Sequence, residues 1–276
     1  MQISFTSLGC PHWNLDTICL RAREYGFDGV DFRGYLGALD VTTLPEFTTG
    51  LAATQRRFTD AGLAVSGISS SLSICVAEKR HDWLEEARRT IPVALGLGAP
   101  NIRVFGGGDL KRYGRGQLAD VGADCMQAIL ALDGAAQVRW HFETHDNWIA
   151  GRDCRMLLDR IPHPAFSALW DMGHTPRLAG ERPKDTLAAL GGRVGYTHIK
   201  DAVYEPEHPQ SMGDGWRYVL PGTGKVPIGE CVRLLRAAGY DGWLVFEHEK
   251  RWVPSLAEPE EAFPAYARWA RSVLAA

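Results

Sequence analysis

The stretch Val138-Arg-Trp-His-Phe-Glu-Thr-His-Asp-Asn-Trp148 decides how the rest of the chain is interpreted. It begins as a short, mostly apolar run, reaches Glu143, and then changes to polar and aromatic residues. This pattern predicts a buried β-strand that ends on a carboxylate. Three later stretches have the same form: Ser167-Ala-Leu-Trp-Asp171, Val194-Gly-Tyr-Thr-His198 and Trp243-Leu-Val-Phe-Glu247.

Short apolar runs alternate with amphipathic helical segments along the whole chain. Strands are predicted around residues 3–7, 27–33, 64–69, 101–105, 138–143, 167–171, 194–198 and 243–247. Helices are predicted around residues 15–25, 44–61, 79–97, 117–132, 152–161, 183–190, 227–238 and 258–274. A helix after every strand requires parallel strands joined by helical crossovers. Eight such units in 276 residues predict an α/β fold, a closed (β/α)8 TIM barrel that forms one domain over residues 1–276.

An open, doubly wound sheet is the alternative architecture. The first strand-to-helix turn, however, lacks the G-x-G-x-x-G pattern of the dinucleotide-binding version of that fold. No Pro/Gly/Ser-rich linker divides the chain into two domains. The longest irregular stretch is predicted at residues 203–226, after the seventh strand, and loops of this length often act as lids or binding segments.

The composition excludes several classes of protein. A formal net charge of -3 gives no reason to expect a nucleic-acid partner. The six cysteines include no C-x-x-C pair, which argues against a zinc ribbon or a disulfide framework and fits a reducing compartment. The sequence shows neither a signal-peptide pattern nor an apolar run of the roughly 20 residues that a membrane span needs. We therefore expect a cytoplasmic protein without a membrane partner.

In a (β/α)8 barrel the carboxyl-terminal ends of the strands line the face on which active sites lie. The predicted fifth to eighth strands end on Glu143, Asp171, His198 and Glu247, so these side chains are neighbours around half of that rim. One acidic strand end alone is usually solvated or paired with an arginine. Three carboxylates brought together repel one another, and a divalent cation removes the repulsion. Three oxygen ligands and one nitrogen ligand suit Mn²⁺, Co²⁺, Mg²⁺ or Fe²⁺, and Zn²⁺ is also compatible.

Five motifs carry a resemblance to a known family: Phe142-Glu143-Thr-His145, Trp170-Asp171-Met-Gly-His174, Thr197-His198-Ile-Lys-Asp201, Pro221-Gly-Thr-Gly-Lys-Val-Pro227 and Gly239-Tyr-Asp-Gly-Trp-Leu-Val-Phe-Glu247. The chain resembles the xylose isomerase-like barrel superfamily of sugar phosphate isomerases and epimerases, which includes ketose 3-epimerases and inosose isomerases and dehydratases. The resemblance spans the chain and is specific for the fold and the metal site, but weak for the substrate. It implies one bound divalent cation, with Mn²⁺ as the first expectation, held by Glu143, Asp171, His198 and Glu247.

The resemblance also implies a reaction. Removing a proton next to a carbonyl needs a base and stabilisation of the resulting oxyanion, and a chelating metal supplies the stabilisation. In the related epimerases two glutamates exchange the proton, and they correspond here to Glu143 and Glu247. We therefore expect a metal-dependent isomerase or epimerase of a keto-sugar or inositol derivative. The closest alternative is a lyase or dehydratase that uses the same proton abstraction on an inosose or a 3-keto-glycoside.

Two further classes of protein are alternatives to these enzymes. An endonuclease for abasic DNA shares this barrel, but it needs extra histidines on the second to fourth strands, where this chain has Asp31, Ser69 and Arg103. A non-catalytic sugar-binding module is the remaining alternative. No sequence feature identifies the substrate; the lack of an evident phosphate loop favours a non-phosphorylated sugar, although Gly222-Thr-Gly224 leaves phosphate open. The sequence does not determine the oligomeric state; relatives are often dimers or tetramers, so a homodimer or homotetramer is possible.

Further residues are candidates for contact with the substrate: His174, Lys200, Arg217, His145 and His12. The resemblance implies that His174 contacts a substrate oxygen, while a rim or capping role is its alternative. Lys200 lies on the strand face of His198, with a salt bridge to Asp201 as its alternative. Glu249 has the strand parity of Glu247 and could replace it as fourth ligand. Arg33, Arg103 and Phe105 belong to a rim that suits a sugar ring, although packing is the more common role.

Overall fold

The computed structural model describes residues 1–276. Ten strands are present: β1 (Gln2–Thr6), β2 (Gly29–Phe32), β3 (Ala64–Ser73), β4 (Asn101–Phe105), β5 (Arg139–Glu143), β6 (Phe166–Asp171), β7 (Val194–Ile199), β8 (Asp201–Tyr204), β9 (Trp216–Val219) and β10 (Trp243–Phe246). Nine α-helices accompany them: α1 (Leu15–Glu24), α2 (Leu51–Asp60), α3 (Arg80–Leu97), α4 (Arg115–Leu130), α5 (Gly151–Arg160), α6 (His174–Leu178), α7 (Pro183–Leu190), α8 (Ile228–Ala237) and α9 (Pro259–Ala275). No helix is long and apolar enough to cross a membrane.

Eight parallel strands close into a barrel in the order β1-β10-β7-β6-β5-β4-β3-β2. Closure is made by β1 and β10, where Phe5 is the Cα partner of Phe246. This pairing leaves no open sheet edge, so the predicted (β/α)8 barrel is confirmed and the doubly wound alternative is wrong. The carboxyl ends of all eight barrel strands therefore meet at one face.

Strand β5 shows how the sequence pattern aims side chains at that face. Trp140 and Phe142 are fully buried and belong to the main hydrophobic core. Because side chains alternate along a strand, His141 and Glu143 point the other way, into the barrel. Glu143 is the last residue of β5, which puts its carboxylate at the mouth.

A polar layer fills the barrel below the mouth. The His141 imidazole lies 2.8 Å from Asn101 Oδ1 through Nε2 and 2.8 Å from Ser167 Oγ through Nδ1. The Tyr196 hydroxyl donates to Asp31 Oδ2 at 2.9 Å. Burial, with a smaller contribution from the charge of Arg139, lowers the pKa of His141 to about 3, so the ring is neutral in the folded protein.

We expect the protein to become less stable as the pH falls below neutral, because His141 binds a proton in the unfolded chain but stays neutral in the folded barrel. The contribution of His141 is complete above its unfolded pKa of 6.5 and is lost as the pH falls from there toward 3. Its slope is at most about 1.4 kcal/mol per pH unit. Urea unfolding at neutral and mildly acid pH measures it. The His141→Asn variant should show a flatter pH dependence, whereas exposed His81→Asn should retain that of the parent protein.

The structure differs from the prediction at two helical segments. The predicted helix at 44–61 is instead two short 3₁₀ turns, Val41–Thr43 and Pro45–Phe47, followed by α2. Thr48, with φ -121° and ψ -95°, leaves helical geometry and separates the second turn from α2. A helix missed from the sequence, α6, begins at His174 directly after β6.

The predicted irregular stretch at 203–226 is wrong in part, because β8 and β9 form an antiparallel hairpin there. Asp201 anchors the base of this hairpin. Its carboxylate accepts the backbone N–H groups of Gly222 and Gly224 at 2.9 Å each and that of Val226 at 3.2 Å. These N–H groups are therefore already satisfied, and the loop containing Gly222-Thr-Gly224 offers no free phosphate cradle.

Candidate active site

Four side chains from neighbouring strand ends meet in one buried cluster. Glu143, Asp171 and His198 lie in β5, β6 and β7, and Glu247 directly follows β10. One ligand atom from each of the four lies within 4.8 Å of the others. His198 Nδ1 is 3.3 Å from Glu143 Oε1 and 3.3 Å from Glu247 Oε2, so the two glutamates flank the imidazole. The structure thus brings together the four residues that the sequence predicts as metal ligands.

Lys200 enters the same cluster from the residue after β7. Its ammonium lies 3.0 Å from Asp171 Oδ2, contacts Glu247 Oε2, and is 2.7 Å from Glu249 Oε1. Burial alone would lower the pKa of Lys200, but Asp171, Glu247 and Glu249 outweigh burial and raise it well above its usual range. The alternative salt bridge between Lys200 and Asp201 is wrong, because Asp201 is occupied by backbone N–H groups.

Arg103 is the second fixed cation. Its Nη1 donates to Glu143 Oε2 at 2.8 Å, and both side chains are almost completely buried. Its guanidinium carbon lies 3.8 Å from the centroid of the Phe105 ring. The sequence drew attention to this arginine only as part of a sugar-binding or packing rim, and its pairing with Glu143 was missed. An arginine between Ile102 and Val104 in a buried strand was the available signal.

The cluster has a net negative charge that a divalent cation would balance. Four carboxylates, those of Glu143, Asp171, Glu247 and Glu249, face the two fixed cations Lys200 and Arg103, which leaves two negative charges uncompensated. Burial acts to lower the pKa of His198, but Glu247 and Glu143 outweigh burial and raise it to about 10. The site therefore holds an extra proton on His198. A divalent cation would replace that proton.

The donor atoms also fit such an ion. Asp171 Oδ2 is buried and makes no hydrogen bond; the Lys200 ammonium at 3.0 Å is not aligned for one. Three carboxylates and one imidazole form an oxygen-rich set that suits Mn²⁺, Co²⁺, Mg²⁺ or Fe²⁺. Burial and Glu247 would raise the pKa of Glu143, yet Arg103 and His198 hold it below its usual range. His198 and Lys200 likewise outweigh burial and hold the pKa of Glu247 well below normal, so both glutamates are ionised and able to bind a cation.

Two histidines lie beside the cluster, next to Glu143. Ligand atoms of His145, His174 and Glu143 are also within 4.8 Å of one another. His145 Nδ1 is 2.7 Å from Asp146 Oδ1, and His174 Nδ1 is 3.1 Å from the carbonyl oxygen of Thr144. Because these acceptors hold a proton on each Nδ1, Nε2 is the nitrogen left for another partner.

Arg217 and His12 lie outside the cluster, and Glu249 contacts it through Lys200. Arg217 is in β9, where its guanidinium pairs with Glu205 Oε2 at 2.7 Å. His12 is exposed on the loop after β1 and lines a groove of about 560 Å³ with residues from the β2 and β10 loops, including Trp252. Glu249 accepts from Lys200 and, at 3.1 Å, from the Tyr218 hydroxyl. The sequence did not single out Tyr218.

The sequence model of the family described as Xylose isomerase-like TIM barrel matches residues 19–273. The chain belongs to this family. Among curated relatives, inosose dehydratases of Lacticaseibacillus casei and Geobacillus thermodenitrificans are each 26% identical over 141 residues. These matches cover 47% and 48% of this chain and 46% of each relative, so the chain matches about half the length of those relatives.

Solved structures share the fold over nearly the whole chain. An apo 3-keto-D-glucoside 4-epimerase from E. coli has a TM-score of 0.76 and 16% identity, with 99% of both chains covered. A D-psicose 3-epimerase crystallised in the presence of D-fructose has a TM-score of 0.77 and 15% identity, with 100% of both chains covered. At these identities the likeness establishes the fold, and it agrees with the closed barrel described above.

Proposed function

We propose that the protein is a divalent-metal-dependent enzyme that removes a proton next to a carbonyl in a keto-sugar or cyclitol, and that it isomerises or epimerises this substrate. The observation that carries the proposal is the pair of ionised glutamates, Glu143 and Glu247, each 3.3 Å from His198 Nδ1. They come from separate strands and flank one point in a buried, cation-deficient cluster. Inosose dehydratases and sugar epimerases among the relatives and structural neighbours support this class of reaction.

Each residue has a defined task in the proposal. Glu143, Asp171, His198 and Glu247 would hold the ion, which when bound polarises the substrate carbonyl and orients the adjacent hydroxyl. One glutamate accepts the proton from the carbon, and the other returns a proton. Lys200 keeps Glu247 ionised and in position, and Arg103 does the same for Glu143. His145 and His174 present their Nε2 atoms beside Glu143 as partners for substrate hydroxyl groups.

Dehydration is the second candidate function. The curated relatives described above are inosose dehydratases, in which loss of water accompanies the reaction. The same proton abstraction in this chain would lead to elimination if a hydroxyl on the next carbon left. Lys200 is an ammonium group 3.0 Å from Asp171 and is placed to donate a hydrogen bond to a departing oxygen.

We expect the purified protein to hold about one divalent ion per chain, as a mononuclear site requires. Elemental analysis after incubation with Mn²⁺, Co²⁺ or Zn²⁺ measures this number. Removal of the ion with a chelator should abolish turnover, and Mn²⁺ should restore it. Protein that takes up none of these ions would contradict the proposal.

The reaction is tested by incubating the Mn²⁺-loaded protein with keto-sugars and inososes in D₂O. Deuterium at a single carbon of a recovered sugar supports isomerisation or epimerisation, whereas an enone product supports dehydration. The Asp171→Asn variant removes one metal ligand and leaves both glutamates in place. It therefore separates the effect of weakened metal binding from the effect of losing an acid–base group. A protein that binds sugars but exchanges no carbon-bound proton would instead be a non-catalytic binding module.

A further inference from the structure

Two arginines lie at the barrel mouth beside the carboxylate cluster, on the side of β2 and β4. Arg33 directly follows β2, and Arg103 lies in β4, with β3 between the two strands. Arg33 donates from Nη1 to Ser71 Oγ, in β3, at 2.9 Å. The acidic ligands therefore lie at the ends of β5, β6 and β10, and the two arginines lie on the side of β2 and β4.

Neither arginine is fully satisfied within the protein. Arg103 Nε and Nη2 are buried and have no hydrogen-bond partner, since only Nη1 reaches Glu143. Half-buried Arg33 forms no salt bridge, and Ser71 is its only side-chain partner. No carboxylate forms an ion pair with Arg33: Glu86 Oε1 accepts the Ser71 N–H at 2.7 Å, and Asp31 Oδ2 accepts the Tyr196 hydroxyl, while Asp31 Oδ1 is buried without a hydrogen-bond partner.

This arrangement is unfavourable without an additional anion. Buried N–H donors without acceptors are rare in native proteins, and each calls for a partner. Burial, followed by repulsion from Arg103, lowers the pKa of Arg33 to about 10, which reflects first the cost of burying this charge and second the presence of another cation at the mouth. A planar anion relieves both problems, because guanidinium groups bind carboxylates through paired N–H donors.

We propose that Arg33 and Arg103 together bind a carboxylate of the substrate, so that the substrate is an acidic keto-sugar or carboxylated cyclitol rather than a neutral one. This inference rests on the proposed function, because it assigns the substrate class of the same mouth. A carboxylate is favoured over a phosphate because barrels of this type commonly bind phosphate through the loops after the seventh and eighth strands. Here the N–H groups of Gly222 and Gly224 in that region are occupied by Asp201.

The test compares ligands that differ only in charge. D-glucuronate and D-galacturonate are each paired with their neutral amides, and binding to the Mn²⁺-loaded protein is measured by calorimetry or ligand-observed NMR. We expect at least one uronate to bind about tenfold or more tightly than its amide, as a charge-assisted pair predicts. This preference should disappear in Arg33→Met and persist in Arg112→Met, whose arginine is an exposed residue of the loop after β4 paired with Glu78.

Several outcomes would overturn the inference. It would be contradicted if uronates and amides bound equally well, or if neither uronate bound. It would also be contradicted if Arg33→Met still bound the uronate more tightly than the amide. Tighter binding of D-glucose 6-phosphate than of both uronates would assign the arginines to phosphate and also contradict it. The proposed function is tested by different results. It would be contradicted if the protein took up no metal and exchanged no carbon-bound proton, whether or not uronates bind more tightly than their amides.

Discussion

Replacement of Glu143 by glutamine is expected to slow carbon-bound proton exchange by about a thousandfold and to destabilise the protein at the same time. The catalytic loss follows because an amide cannot accept the proton, and general acid–base groups contribute about 10²- to 10⁴-fold to such reactions. The stability loss follows because Arg103 would keep its buried charge without a counter-ion. Breaking a buried pair in this way costs about 3 kcal/mol. Exchange kinetics and urea unfolding measure the two effects separately.

The double variant Glu143→Gln, Arg103→Met separates the two roles of Glu143. Removing the arginine charge eliminates the unpaired cation, so the double variant should be more stable than Glu143→Gln alone. Its exchange rate should remain as low as that of the single variant, because the base is still absent. Recovery of exchange in the double variant would mean that Glu143 acts through Arg103 and does not itself move the proton.

The sequence was sufficient for the barrel and for grouping the four candidate ligands, for one physical reason. The strands of a parallel barrel carry buried apolar residues and are joined by helical crossovers, and both patterns can be recognised locally in the sequence. Strand ends in such a barrel converge by topology, so Glu143, Asp171 and His198 could be grouped without knowing any distance. Counting eight apolar runs was therefore enough to predict which strand ends lie side by side.

Side-chain partnerships were beyond the reach of the sequence because they depend on register and on the direction of long side chains. Lys200 is adjacent to Asp201 in the chain, yet its ammonium reaches Asp171 at the end of β6 and Glu249 in the loop after β10. Asp201 instead closes the hairpin that was predicted as an irregular loop. The neutral His141 is a similar case, since nothing local shows that Asn101 and Ser167 will enclose it.

Comparing Glu247→Gln with Glu249→Gln tests which of these two glutamates is the fourth ligand. We expect proton exchange to be slower in Glu247→Gln than in Glu249→Gln by about a hundredfold or more. Glu247 lies 3.3 Å from His198 Nδ1 inside the cluster, whereas Glu249 is more exposed and contacts Lys200 and the Tyr218 hydroxyl. Loss of Glu247 removes both a ligand and an acid–base group. Loss of Glu249 removes only one of three carboxylates around Lys200.

Metal content distinguishes the two variants independently of any substrate. Glu247→Gln should retain less Mn²⁺ than the parent protein after dialysis, because one of four ligands is weakened, while Glu249→Gln should retain as much as the parent. The two substitutions are chemically identical and two residues apart, so each controls for the other. If Glu249→Gln lost the metal and Glu247→Gln kept it, Glu249 would be the fourth ligand, and Lys200 would then have to pair with Asp171 and Glu247 alone.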